Sequence, residues 1–306
     1  MVSYPETMPE TAAERSTLLD PEFLRKIEQL SLVSRKLVTG RIRGERRSRR
    51  KGISVDFADY RDYSKGDDLR FIDWNIFGRL DRLFLKLFQE EEDLHVYTLI
   101  DTSSSMNHGD TKKFDYARKF AAALGYMALV NYDRLSMSAF HADETVHLEP
   151  IRTRNQVWKL FDYLENLECN GRTDLARSCK EFVIRHPRRG IVLLLSDFMD
   201  PTGYEDALST LLSRRHEIFV VQILSPTEID PEIHGHMRLV DDETGEEVEI
   251  TLTRSFREVY KKKIAAYVES MRDYCSARGI FYLSTRTDLE VERLVLEYLR
   301  RVGFVR

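Results

Sequence analysis

Cysteine is scarce in this chain of 306 residues, with three in all: Cys169, Cys179 and Cys275. An odd number, at spacings that match no zinc or redox pattern, excludes a disulfide framework and a thiolate cluster and suits reduced thiols in a cytosolic protein. Long apolar runs are missing too. The longest, AAALGYMALV at 121–130, falls far short of the ~20 residues a membrane helix needs. The opening MVSYPETMPETAAERS has no basic segment followed by an apolar one, so no signal peptide is expected there. There is no G-x-x-x-x-G-K-S/T, which removes a P-loop, and no G-x-S-x-G, which removes a serine-hydrolase elbow. A dominant charge is also lacking: the formal net charge of -4 sets up no overall field toward nucleic acid or membrane.

What the chain has is material for a core. Its residues are 42% hydrophobic and 32% charged, the balance of a soluble globular protein, and its length suits about two domains. The charge is clustered. Residues 41–51, RIRGERRSRRK, carry seven basic residues and one acidic, and residues 90–93, EEED, are all acidic. Three stretches are expected: a polar, disordered tail over 1–19; an N-terminal helix, basic loop and small β-rich segment over 20–94; and an α/β domain over 95–306.

The first helix opens at Asp20, a good N-cap, with Pro21 in the first turn. Phe23, Leu24, Ile27, Leu30 and Leu37 extend its apolar stripe toward a stop at Gly40. Ile53, Val55 and Phe57, and later Leu83, Leu85 and Leu87, alternate with polar residues as half-buried strands do. From residue 95 the pattern alternates. Strands are expected over 95–101, 134–140, 145–150, 190–197, 217–224 and 280–285, and helices over 112–132, 155–167, 174–186, 204–216, 256–278 and 289–301. Residues 237–252 read as a hairpin turning at Glu243, Thr244 and Gly245. Strands alternating with helices imply a mostly parallel sheet covered on both faces. In such sheets ligands bind beyond the carboxyl ends of the strands, at the switch point.

Three polar clusters reach that edge: Asp101-Thr102-Ser103-Ser104-Ser105, Gly171-Arg172-Thr173-Asp174, and Ser196-Asp197. Each has a plain structural reading. The serines can cap a helix, Thr173 or Asp174 can be an N-cap, and Asp197 can belong to the turn before Asp200 and Pro201. Together, on the right strand ends, they make a set of hard oxygen donors. No histidine or cysteine lies within the three clusters, which argues against zinc and copper. Two carboxylates brought close repel unless a cation or a proton lies between them. Asp101, Ser103, Ser105, Thr173 and Asp197 suit Mg²⁺, with Mn²⁺ or Ca²⁺ as substitutes, and leave a position open for an outside carboxylate.

This constellation resembles the metal-ion-dependent adhesion site of the von Willebrand factor A fold. Asp101, Ser103 and Ser105 match its D-x-S-x-S, Thr173 its separate threonine and Asp197 its later aspartate. The resemblance implies a six-stranded sheet with one antiparallel edge. Many relatives have glycine after the last aspartate, where this chain has Phe198. Upstream, FADYRDYSKGDDLRFIDWNIFGRLDRLFLKLFQEEE resembles the fifty-eighth domain-of-unknown-function family, through Arg61, Tyr63, Gly66, Asp67, Arg70, Ile72, Asp73, Trp74, Lys86, Phe88 and Glu91. That resemblance spans about residues 40–300. It implies a bacterial or archaeal protein that works with a MoxR-type AAA+ ATPase in a chaperone-like assembly. Within the signature, Arg61 and Arg70 can pair with Asp67 or Asp73, and Trp74 can bury a large apolar surface, so the segment is either a structural lock or a docking surface.

The expected function is therefore a cytoplasmic, non-enzymatic, metal-dependent protein-binding adaptor, with a peripheral membrane contact as an addition. A metal-dependent phosphohydrolase is the rival. The aspartyl-phosphate type needs a second aspartate two residues on, where this chain has Ser103. An adaptor for anionic surfaces, acting through 41–51, is the third reading. No aromatics interleave that run, which weakens single-strand nucleic-acid binding.

Overall fold

The run Ile191–Ser196 forms a strand in which every residue is buried, as a nearly all-apolar strand covered on both faces must be. It belongs to a computed structural model that describes residues 18–32, 56–64, 69, 72–89, 94–109, 111–142, 144–231, 235–240, 247–252, 254–301 and 303–305. In chain order the strands are β1 (Asp56–Asp62), β2 (Phe84–Gln89), β3 (His95–Asp101), β4 (Arg134–Phe140), β5 (Thr145–Ile151), β6 (Ile191–Ser196), β7 (Glu217–Leu224), β8 (Gly235–Val240), β9 (Glu247–Leu252) and β10 (Phe281–Arg286). The helices are α1 (Pro21–Ile27), α2 (Trp74–Leu80), α3 (Lys113–Val130), α4 (Val157–Glu165), α5 (Leu175–Arg185), α6 (Glu205–Ser213), the single turn α7 (Pro226–Ile229), α8 (Arg254–Ala277) and α9 (Val291–Arg293), which continues as a π-helix over Leu294–Leu299.

Contacts divide the chain into two units, Met1–Arg41 with Leu94–Arg306, and Ile42–Asp93. The larger unit holds a six-stranded sheet in the order β10-β7-β6-β3-β4-β5, parallel throughout except for β5, which pairs antiparallel with β4. This is the mostly parallel sheet that the sequence pattern implies, with the six strands and single antiparallel edge that the resemblance to the von Willebrand factor A fold implies. The chain builds outward from β3 to β4 and β5, then crosses over to lay down β6, β7 and β10 on the other side. The switch point therefore falls between β3 and β6.

Side-chain alternation divides the core. Ile191, Leu193 and Leu195 of β6 join one cluster with α1, α3, α4 and α9, while Val192 and Leu194 join a second with α5, α6 and α8. Such period-two alternation on a doubly covered strand is why β6 reads as continuously apolar. Helix α3 is buried nearly all round, which explains its apolar run.

Two local expectations change. Helix α1 stops at Ile27, short of the expected stop at Gly40. Leu30 and Leu32 are still buried, but as extended chain: Leu32 bridges Val305, and Asn131 donates through Nδ2 to the Leu30 carbonyl at 2.8 Å. The apolar spacing was real, and tertiary partners replaced the helical ones. Residues 33–40, the basic run 41–51 and the hairpin turn at 243–245 lie outside the described residues. Helix α1 also packs in the α/β core, with Phe23, Leu24 and Ile27 buried there, although the sequence groups it with the β-rich stretch.

The smaller unit is a two-stranded antiparallel sheet of β1 and β2, with a bulge between Phe57 and Asp59, and α2 lies between the two strands in the chain. Asp73 organises it. Its Oδ1 accepts from the Asn75 and Ile76 amides as N-cap of α2, its Oδ2 accepts from the Tyr60 hydroxyl at 3.1 Å, and its own amide donates to the Phe84 carbonyl. Tyr63 extends this pairing by donating its amide to Leu83 O. Trp74 does not bury its ring: it is 61% exposed and meets Phe77 edge to face. Of the other signature residues, Gly66, Asp67, Arg70 and Glu91, and the side chains of Arg61, Lys86 and Phe88, lie outside what is described.

At the amino end of β3, Tyr97, Phe182 and His186 pack ring against ring. Burial, with Arg185 beside it, lowers the His186 pKa from 6.5 to about 4. The folded form then binds fewer protons than the unfolded form. The stability this residue contributes is complete above pH 6.5 and is lost as pH falls toward 4. His186→Phe is expected to flatten this loss, by on the order of 1–2 kcal/mol at pH 4 once the shift is discounted for the solvent that reaches the half-buried ring. Urea denaturation between pH 7 and pH 4 measures it, and parallel curves for the two proteins contradict it.

Candidate functional site

Asp101 ends β3 with its side chain fully buried. Its Oδ1 accepts from the Ser103 amide at 2.9 Å and its Oδ2 from the Ser196 hydroxyl at 2.6 Å, so the carboxylate is fixed between the ends of β3 and β6. The next residue turns away: Thr102 donates through both its amide and its hydroxyl to Phe140 O, on β4. Ser103 then stands at the N-cap of a single 3-10 turn, Ser104–Asn107, and its hydroxyl shares a hydrogen bond of 3.1 Å with that of Ser105, in which either can donate. Ser104 donates its amide to Gly171 O, and Asn170 donates to Thr102 O. Those two bonds tie the loop of Thr173 to the serine loop. Asp174 caps α5 through the Arg177 amide, and Leu175 donates to Asp200 Oδ2, joining the third loop to the second. The three polar clusters are thus one connected edge, at the switch point.

Asp197 is also buried. Its Oδ1 accepts from the Met199 amide at 3.0 Å, and its Oδ2 accepts from Lys113 Nζ at 2.6 Å. Lys113, in the first turn of α3, is buried as well and donates a second bond to Glu228 Oε1 at 2.5 Å. Burial works against its charge, but Asp197 and Glu228 outweigh burial and raise its pKa above the usual value. Neither Lys113 nor Glu228 was foreseen from the sequence. One signal was present: a lysine pair opens α3, where the helix dipole favours acidic side chains.

Asp101 carries the cost of this crowding. Burial, and then the Asp197 charge, push its pKa up to about 7, while the bonds from Ser196 and Ser103 hold it down. Cys169 lies close enough to feel Asp101. Burial, with that charge added, pushes its thiol up to about 12, so it stays protonated and is neither thiolate ligand nor nucleophile.

Two observations bear on how these residues would suit a divalent cation. The serine hydroxyls, hydrogen-bonded to each other at 3.1 Å, stand a little more than one edge apart for an octahedron with arms of about 2.0–2.1 Å, whose edge is roughly 2.8–3.0 Å. Lys113 pairs with two carboxylates, Asp197 and Glu228, and Asp101 is a third that feels the Asp197 charge, so the four side chains carry two net negative charges when Asp101 is ionised. Among the described residues no group of three or more His, Cys, Asp or Glu could hold a metal, so an ion here would depend on hydroxyls beside Asp101.

Phe198 explains its own oddity. Its φ is 59°, in the left-handed region that favours glycine, and its ring is buried. Its amide donates to Ser196 Oγ at 2.9 Å and its carbonyl accepts from the Tyr267 hydroxyl. The ring's burial offsets the strained backbone.

Fold and edge together define an α/β protein with a von Willebrand factor A-like sheet and a hydroxyl-rich carboxylate site at its switch point. The chain belongs to the family described as "Protein of unknown function DUF58", whose model matches residues 59–270. An uncharacterized protein of Mycobacterium tuberculosis, Rv1480, is 24% identical over 280 residues, covering 90% of this chain and 88% of its own. A shorter match, 29% over 117 residues, is to an uncharacterized protein of Mycobacterium avium, covering 38% of this chain and 69% of that one. Among solved structures, BatB from Bacteroides thetaiotaomicron aligns with a TM-score of 0.41 at 14% identity, over 69% of this chain and 98% of that one. The SpRpn10 VWA domain aligns at 0.38 and 11%, over 67% and 94%. Proximal thread matrix protein 1 from the mussel byssus, with a zinc-occupied MIDAS motif, aligns at 0.41 and 13%, over 68% and 47%.

Phe198→Gly removes a left-handed penalty of about 1 kcal/mol but opens a cavity that costs about 3–5 kcal/mol. A net loss of about 2–4 kcal/mol is expected in urea denaturation. A gain in stability contradicts this account of the turn.

Proposed function

We propose that this protein is a non-enzymatic adaptor that binds a protein partner through a divalent cation, Mg²⁺ with Mn²⁺ or Ca²⁺ as substitutes. Asp101, Ser103 and Ser105 hold the ion, and Thr173 and Asp197 stand on the loops tied to them, Asp197 with its charge shared by Lys113. The observation that carries this reading is the serine hydroxyl pair, 3.1 Å apart, beside a buried carboxylate at the switch point. When bound, the ion supplies a Lewis-acidic position for an Asp or Glu of the partner. The chain's residues do the rest: Asp101 and Ser196 fix the depth of the site, and the backbone bonds to Gly171 and Asn170 hold its three loops in register.

The arrangement suits holding better than catalysis. The amine nearest the carboxylates, Lys113, is protonated and bonded to two of them, so it is not available as a general base. The partner in this reading is a MoxR-type AAA+ ATPase, which the family resemblance suggests. No helix among the described residues is long and apolar enough to cross a membrane, which is compatible with a partner met in solution.

Asp101→Ala is expected to abolish Mg²⁺-dependent pull-down of such an ATPase while leaving the circular dichroism spectrum of a folded α/β protein. EDTA should do the same to the wild type. Recovery of the ATPase unchanged by both the substitution and EDTA contradicts the proposal.

A further inference from the structure

The Lys113 side chain is 1% exposed, with Nζ 2.6 Å from Asp197 Oδ2 and 2.5 Å from Glu228 Oε1. Burying an ammonium ion at the positive end of a helix is unfavourable unless anions compensate it. Both anions come from the carboxyl edge of the sheet: Asp197 follows β6, and Glu228 lies in α7, after β7. Both are themselves fixed. Glu228 Oε2 accepts from the Ser225 amide at 2.7 Å, and the Glu228 amide donates to the Ser225 hydroxyl. The second oxygen of Asp197 accepts from the Met199 amide. The ammonium thus clamps the start of α3 to the loops after β6 and β7. Asp101, by contrast, is held by a hydroxyl and an amide, which leave its charge unneutralised.

We propose that Lys113 is the resident counter-ion of this site: it neutralises Asp197 and Glu228 so that the loops stay assembled without a divalent cation, and it leaves Asp101 as the carboxylate that an incoming ion meets. The second half rests on the metal-dependent reading above. With one uncompensated carboxylate and two hydroxyls, the site quenches little of an ion's charge, which preserves the ion's attraction for an acidic partner. Lys113 is therefore a positioning residue that sets the specificity of the site for anionic partners.

The test uses the full chain as wild type, as Lys113→Met, and with Lys113→Met, Asp197→Asn and Glu228→Gln combined. Each is melted in EDTA and in Mn²⁺ and titrated with Mn²⁺ by calorimetry. The wild type should melt within a few degrees in the two media. Lys113→Met should melt about 10 °C or more lower in EDTA, recover in Mn²⁺, and bind Mn²⁺ roughly tenfold more tightly. The triple variant should melt close to the wild type in EDTA, because no uncompensated charge remains at those positions. It decides the matter if Lys113→Met does not fold. A Lys113→Met melt unchanged in EDTA overturns the proposal. So does a triple variant no more stable than Lys113→Met, which would make the lysine a packing residue, and so does weaker Mn²⁺ binding by Lys113→Met. A wild type that binds no Mn²⁺ overturns the proposed function instead, and the EDTA melts still decide whether Lys113 is the counter-ion.

Discussion

Burying the Asp101 carboxylate beside that of Asp197 is the constraint to which the rest of the site answers. Both groups leave the sheet at the carboxyl ends of adjacent strands, and both are buried. Like charges so placed are unstable without compensation. Three compensations are built in. Ser196 and the Ser103 amide bond Asp101, and Lys113 pairs with Asp197. The third is protonation of Asp101, made easy by a pKa pushed up to about 7. A divalent cation at the serine pair would take the place of that proton, matching the two negative charges the four side chains carry once Asp101 is ionised.

The sheet order makes this crowding unavoidable. Because the chain lays down β4 and β5 on one side of β3 and β6 and β7 on the other, the loops after β3 and β6 diverge from a common point. Backbone bonds then lace those loops to the one before α5, so that the edge behaves as a single piece. Phe198 shows how far the packing goes: a left-handed backbone is accepted so that its ring can fill the core under the site.

Much of this was legible in the sequence, for a physical reason. The strands buried on both faces are continuously apolar, and Asp101, Ser103 and Ser105 follow a recognisable motif, although the chain reaches Ser105 through a 3-10 turn, Ser104–Asn107, and not as an extended strand. Thr102 reads as a spacer and is one, since it turns to Phe140. The failures are also physical. The stripe from Phe23 to Leu37 reads as one helix, yet Leu32 finds its partner in Val305, far along the chain. Helix α2 sits in a stretch that reads only as β-rich, because its apolar residues Trp74 and Leu80 are exposed and no buried stripe announces a helix. Lys113 is the deepest miss. A charged residue at a helix start reads as solvated, and its partners Asp197 and Glu228 lie 84 and 115 residues away. Nothing local could have paired them.

The central claim is that Ser103, Ser105 and Asp101 form a cation site while Lys113 keeps Asp197 and Glu228 to itself. A crystal structure of the wild-type chain grown with Mn²⁺, with an anomalous difference map, tests it most directly. The account predicts a peak about 2.0–2.6 Å from both serine hydroxyls, beside Asp101, with the Lys113 bonds to Asp197 and Glu228 intact. An absent peak, or one lying between Asp197 and Glu228 with Lys113 displaced, contradicts it.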